Sequence, residues 1–188
     1  ERDKSIYEAW NQALDVIENE TSRDFWVCFV GLDDRLESEF FLSFSRHERK
    51  ENSNFYFGNG SFESPAGLRR TEVACNPLLF SNTSTPEWDI FHPGAIQHSS
   101  IFEGQRFTTQ YKLAGDFEFY LRVSRLRRIS YQKLDVNQVV TSMTGISNHA
   151  AAKLVYIREI REIELTYGVS ILKRSIYIEK LKAFKAQA

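Results

Sequence analysis

The sequence predicts an α/β fold, and two observations carry that prediction. Segments with helical periodicity alternate with short apolar runs along most of the 188 residues. One of those runs, FWVCFV at 25–30, is apolar at every position, as in a strand buried on both faces of a sheet. At the front, Ser5 and Glu8 have the S-x-x-E spacing of a capping box. Ile6, Trp10, Ala13, Leu14 and Ile17 then fall on one helical face. The strand at 25–30 ends at Gly31, and a helix follows over about 37–48 with Phe40, Phe41 and Phe44 on its apolar side. NFYFGNGSF at 54–62 predicts a strand entering a glycine-rich turn, with LRRTEVAC at 68–75 as its partner strand. Residues 76–94 hold three of the four prolines and predict a long ordered loop. A short segment at 95–103 leads to a helix opened by Gly115 and Asp116. Two short strands are predicted at 129–134 and 137–143, then a helix over about 149–167 that carries Leu154, Ile157, Ile160 and Ile163 on one side, and a last helix at about 171–186.

Composition narrows the function classes. A hydrophobic share of 42% and a charged share of 26% are ordinary for a water-soluble chain, and the length suits one domain. A formal net charge of −1, with no basic stripe interleaved with aromatics, gives no pull toward nucleic acid. The 15 Phe and 8 Tyr suit a large core or a site that stacks on rings. Cys28 and Cys75 lie far apart without CxxC spacing, so a reducing compartment is the default. No apolar run has transmembrane length.

Two groups of acids are candidates for chemistry. Asp33 and Asp34 adjoin at the end of the apolar strand, and like charges so close repel unless a cation lies between them. They mark either a helix start, where the dipole favours acids, or a divalent-cation site at the carboxyl end of a strand. Asp116 opens a helix and serves either as its cap or as a base. His92 and His98 stand six residues apart, which is not a zinc spacing, and hydrogen bonding in a loop suits them better.

Taken in order, ERDKSIYEAWNQAL (1–14), FVGLDD (29–34), FHPGAIQHSSIF (91–102), YKLAGDFEFYLRV (111–123) and MTGISN (143–148) resemble the landmarks of family 2 glycosyltransferases, the small bacterial sugar transferases of GT-A fold. The resemblance covers residues 1–168, a glycosyltransferase portion, and leaves 169–188 as a basic C-terminal helix. It implies a GT-A, Rossmann-like nucleotide-diphospho-sugar transferase fold with about sixty further residues ahead of this segment, which would supply the first strands and the nucleobase pocket. It implies an inverting, metal-dependent transfer of a sugar from a nucleotide-diphosphate donor, a UDP-sugar by family frequency, to a hydroxyl of a saccharide or lipid-linked saccharide, as in polysaccharide biosynthesis. In that scheme Asp116 is the catalytic base with Glu118 in support, and Asp34 and Asp33 hold Mn²⁺ or Mg²⁺. Asp33 also contacts the donor, which Asp3, Lys4, Tyr7 and Asn11 line, and His92 lies on the acceptor side. Lys4 either offsets phosphate charge or is solvated. Gly31, Trp10 and Ser5 depart from the family pattern and bear on donor identity. The alternative is a nucleotide-binding, inactive fragment or pseudoenzyme of the same fold.

Arg122, Arg125, Arg127 and Arg128 cluster at a predicted helix C-terminus, where cations complement the dipole. The tail sets Lys173, Arg174, Lys180, Lys182 and Lys185 against Glu179 alone. It either lies on an anionic membrane or docks on protein. The expected location is the cytoplasm, with peripheral contact at the inner face of the membrane as the further option.

Overall fold

The computed structural model describes residues 5–21, 23–48, 52–72, 90–142 and 150–170. Asp3, Lys4, most of the proline-bearing loop, the MTGISN turn and the helix expected at 171–186 lie outside the described residues.

Helix α1 covers Ile6–Glu20 and begins at the predicted cap, with the Glu8 N–H donating to Ser5 Oγ at 3.2 Å. Its buried face is rotated from the predicted one. Tyr7 and Leu14 are buried, whereas Ile6 is 49% exposed and Ala13 faces solvent. The Tyr7 hydroxyl finds polar partners at the start of a later helix, and this turns its edge of α1 inward. Strands β1 (Trp26–Cys28) and β2 (Arg35–Leu36) flank the two acids, and α2 covers Ser38–His47. Phe40 is fully buried in α2, but Phe41, about 100° further round the helix, is 36% exposed.

The glycines of FGNGSF do not form a turn. Strand β3 runs through them as Phe55–Glu63, and the turn comes after it, where Gly67 adopts φ 76°. Strand β4 (Arg69–Glu72) then pairs back antiparallel, from Gly60–Glu72 to Glu63–Arg69, as the predicted partner. After β5 (Ile96–His98) and a single 3₁₀ turn come α3 (Gly115–Leu126), β6 (Tyr131–Ser142) and α4 (Ala150–Tyr167). The two strands predicted at 129–134 and 137–143 are one strand. Its pattern breaks because β6 carries extra residues between its pairings Phe57–Lys133 and Gly60–Val139, a bulge that interrupts the alternation.

Among the described residues the sheet has the order β1-β5-β3-β6-β2, with β4 also on β3. Only β3 and β6 are parallel; every other pairing is antiparallel. This is an α/β architecture with a mixed sheet, compatible with a Rossmann-like fold. Side chains alternate across it. Phe55 and Phe57 join one core with Tyr7 and Leu14 of α1, Phe117 and Leu121 of α3, and Ile160 and Ile163 of α4. Tyr56 points the other way, to Phe40 and Phe44 of α2. Each fully buried ring contributes about 1.5–3 kcal/mol, so β3 anchors both layers. Among the described residues no helix is long and apolar enough to cross a membrane.

The bulge also sets the segment that carries His92. Gln138, fully buried, accepts the Gly58 N–H at Oε1 (2.6 Å) and donates through Nε2 to Pro93 O (2.8 Å) and Phe91 O. The Phe91 ring lies against Gly60, where any Cβ would fall inside its van der Waals radius. Gly60→Ala is expected to displace Phe91 and to cost about 1–3 kcal/mol. Urea unfolding checks this, and a change within ±0.5 kcal/mol would refute it.

Candidate active site

The chemistry gathers at the entry to α3. Ala114 is the N-cap and has no side-chain oxygen for the helix start, so other groups satisfy the first amides. The Gly115 N–H donates to Tyr7 Oη at 2.9 Å, and the Phe117 N–H donates to Asp116 Oδ1 at 2.8 Å. Tyr7 Oη lies 3.4 Å from the same Asp116 oxygen, as donor. Gly115 is required here, because a Cβ would come within 2.6 Å of the Tyr7 ring. Just ahead, Glu159 of α4 accepts three consecutive backbone N–H groups, from Lys112 (2.7 Å), Leu113 (2.9 Å) and Ala114 (2.9 Å).

Asp116 and His92 line one cavity of about 290 Å³. Its walls are largely aromatic, with Phe62, Phe91, Phe117 and Tyr156, and Thr141 adds a third polar group. Thr141 Oγ1 is buried and makes no hydrogen bond among the described residues. Burial, the dominant effect, pushes the Asp116 carboxyl up to about 6; its amide and Tyr7 hydrogen bonds act downward and the charge of Glu159 upward. His92 is 4% exposed and sits among the rings of Trp10, Phe29 and Tyr120. Burial lowers its imidazole to about 3, so it is neutral at physiological pH. His92 Nε2 bonds Tyr120 Oη at 2.8 Å, and the Tyr120 hydroxyl donates to Gln97 Oε1. That relay leaves Nε2 as the protonated nitrogen of His92. Because the Tyr7 hydroxyl favours the ionised carboxylate, Tyr7→Phe is expected to move the Asp116 midpoint above 6 and to cost about 1 kcal/mol. A carboxyl-carbon NMR titration reads the shift; an unmoved or lowered midpoint would contradict it.

The other predicted residues are placed as follows. Asn11 holds the backbone of Phe107 from both sides, donating to its carbonyl at 2.8 Å and accepting its N–H at 2.9 Å, a bracing role. Glu118 is buried, pairs with Arg122 (2.8 Å) and accepts the Tyr167 hydroxyl. The arginine cluster braces the helix end: Arg125 donates to Tyr167 O and Arg127 to Ser100 O. His98 Nδ1 accepts the Ser100 N–H and caps the 3₁₀ turn.

Asp33 and Asp34 sit in a tight loop before β2. The Asp34 N–H donates to Gly31 O (3.1 Å), and Asp34 Oδ2 accepts the Gly31 N–H (2.9 Å). Asp33 is exposed and lines a second cavity, of about 300 Å³, with Arg35, Glu63 and Ser142. Phe62 and Thr141 face the first cavity while their neighbours Glu63 and Ser142 face the second, so strand alternation puts the two on opposite faces of the sheet. The structure therefore brings Tyr7, His92 and Asp116 together and sets Asp33 on a different cavity. Among the described residues no three His, Cys, Asp or Glu side chains converge as a metal cage. Two neighbouring carboxylates ahead of β2, one of them without a hydrogen bond among the described residues, still fit a cation that takes its remaining ligands from phosphate and water.

Glu159, Tyr156, Thr141 and the Tyr120–Gln97 relay escaped the sequence reading. The only signal for Glu159 and Tyr156 was their spacing of three on one helix, which aligns them on one face. No model of a known protein family matches the chain, and no curated protein is significantly similar to it in sequence.

Proposed function

We propose that the chain carries the catalytic part of an inverting, metal-assisted glycosyltransferase of GT-A type that uses a nucleotide-diphosphate sugar, a UDP-sugar by preference. The observation behind this reading is Asp116: a carboxyl with raised proton affinity at a helix start, facing an aromatic cavity of sugar size beside a neutral imidazole. A general base works best with its pKa near the operating pH. In the proposed reaction an acceptor hydroxyl enters the cavity and Asp116 removes its proton as the oxygen attacks the anomeric carbon. The bond from that carbon to the diphosphate breaks, configuration inverts, and Asp116 passes the proton to solvent. Aromatic walls suit the C–H faces of a sugar ring. His92, neutral and pinned by Tyr120, orients the acceptor without adding charge. Asp34 and Asp33 would hold Mn²⁺ or Mg²⁺, which would stabilise the charge that gathers on the leaving diphosphate, a role that requires the donor to reach from the cavity of Asp116 to that of Asp33. We place the activity in the cytoplasm, acting on a saccharide or lipid-linked saccharide, with the basic tail as a peripheral membrane contact.

The separation of Asp33 from Asp116 onto two cavities supports a second reading, in which the chain binds a nucleotide without transferring sugar. Calorimetric titration of the complete protein with UDP, with and without Mn²⁺, tests what the two readings share. Binding that requires Mn²⁺ is the expected result; no binding of UDP in either condition would remove both.

A further inference from the structure

We propose that Glu159 is a positioning residue for Asp116: by holding the three consecutive backbone N–H groups of residues 112–114, its carboxylate fixes the backbone that enters α3 and so the direction in which Asp116 meets the cavity. The kinetic part of this inference rests on the glycosyl-transfer reading; the geometric part does not.

A buried carboxylate is costly unless charge or hydrogen bonds compensate it. Glu159 is 9% exposed, and among the described residues its oxygens meet backbone amides rather than a basic side chain. The neighbouring Arg161 pairs instead with Glu164, at 2.8 Å. The three amides lie immediately before a helix whose N-cap, Ala114, cannot cap it. Glu159 thus does for the Ala114 amide, from α4, what the Glu of a capping box does locally, holds the two amides before it as well, and couples α4 to the turn that leads into Asp116. The same face of α4 brings Tyr156 to the cavity wall three residues earlier. A local side chain would have set the entry to α3 alone; a carboxylate from α4 sets that entry and one wall of the cavity together.

The charge of Glu159 has a second consequence, since it also raises the proton affinity of Asp116. Among the described residues, the titratable groups facing Asp116 are Tyr7 from α1, Tyr120 from α3, Tyr156 and Glu159 from α4, and His92 across the cavity. The tyrosines and His92 are neutral at physiological pH, which leaves Glu159 as the negative one among them.

The test compares wild type, Glu159→Gln and Glu159→Asp. A Gln side chain offers one acceptor oxygen and turns an NH₂ toward amides that themselves donate, so it breaks the cradle and removes the charge. In Glu159→Gln the carboxyl-carbon NMR midpoint of Asp116 should fall by a few tenths of a pH unit. The amides of Leu113 and Ala114 should exchange with solvent about tenfold faster or more. Transfer should lose about 10- to 100-fold in kcat with little change in donor KM. Glu159→Asp keeps the charge, so its Asp116 midpoint should stay closer to wild type than that of Glu159→Gln. A folded Glu159→Gln with unchanged amide protection and an unmoved Asp116 midpoint would overturn the proposal. Should Glu159→Gln not fold, wild-type exchange decides: protection of Leu113 and Ala114 like that of the α3 interior supports the cradle, and exchange at open-loop rates refutes it. A wild-type protein with no transfer activity would remove the glycosyl-transfer reading, while the midpoint and exchange data would still decide the role of Glu159.

Discussion

Asp116→Asn is expected to lower sugar transfer by about 10²–10⁴-fold, the usual contribution of a positioned general base, and at the same time to stabilise the fold at neutral pH. Burial raises the Asp116 carboxyl to about 6, above its ordinary value near 4. Across that window the folded chain holds a proton that the unfolded chain has already released, so stability falls as pH rises from about 4 to about 6. At pH 7 the folded protein carries the full cost of a poorly solvated carboxylate, on the order of 1–3 kcal/mol. Asn has no such proton and accepts the Phe117 N–H as well as Asp does. Its stability should exceed wild type at pH 7 and meet it below about pH 4. His92, with its lowered affinity, contributes a slope of opposite sign that is common to both proteins and cancels in the difference. Thermal unfolding of the pair at pH 4 and pH 7 measures this directly. A variant that is less stable at pH 7 would make Asp116 a structural cap rather than a base.

The second large effect concerns the two adjacent acids. Asp33→Asn is the cleaner variant, because Asp33 is exposed and makes no hydrogen bond among the described residues, so the fold should not register the change. Asp34→Asn keeps a carbonyl oxygen for the Gly31 N–H, and the loop should stay closed. Both substitutions remove a negative charge from the proposed cation site. Mn²⁺-dependent UDP affinity should fall about a hundredfold, on the order of 3 kcal/mol, while UDP affinity without metal stays as it was. Equal losses with and without Mn²⁺ would place these acids on the nucleotide and take the cation away from them. An unchanged affinity in both conditions would return the pair to a loop closed by Asp34.

Local signals served where local physics determines structure. The capping spacing of Ser5 and Glu8 and the isoleucine stripe of α4 correspond to observed elements. The apolar run at 25–30, however, holds only the three-residue β1, whose Trp26 and Cys28 are half-buried while Val30 is 36% exposed, rather than a strand buried on both faces. The other misreadings share one cause, a partner distant in sequence. Gly58 and Gly60 suggest a turn until the bulge of β6 and the Phe91 ring are known to lie against them. The face of α1 follows Tyr7 rather than Ile6 because the tyrosine hydroxyl has an amide to bond more than a hundred residues on, as the Gly115 contact records with its separation of 108. Glu159 is one acid in a helix of mixed charge, beside Arg158, Arg161, Glu162 and Glu164, and nothing local marks it. By residue type and position Asp116 reads as a helix cap, and only the resemblance of YKLAGDFEFYLRV to a glycosyltransferase landmark marks it as a base; its shifted proton affinity comes from packing against α1 and α4, which only the folded chain provides.

The most direct test is UDP release from a panel of UDP-sugars with Mn²⁺ and a mixed saccharide acceptor, measured for the complete wild-type protein and its Asp116→Asn variant between pH 5 and 8. The account predicts release by wild type that climbs as pH passes about 6, where Asp116 ionises, and that is lost in the variant. Release at the same rate in both proteins, or none from any donor by wild type, would contradict it.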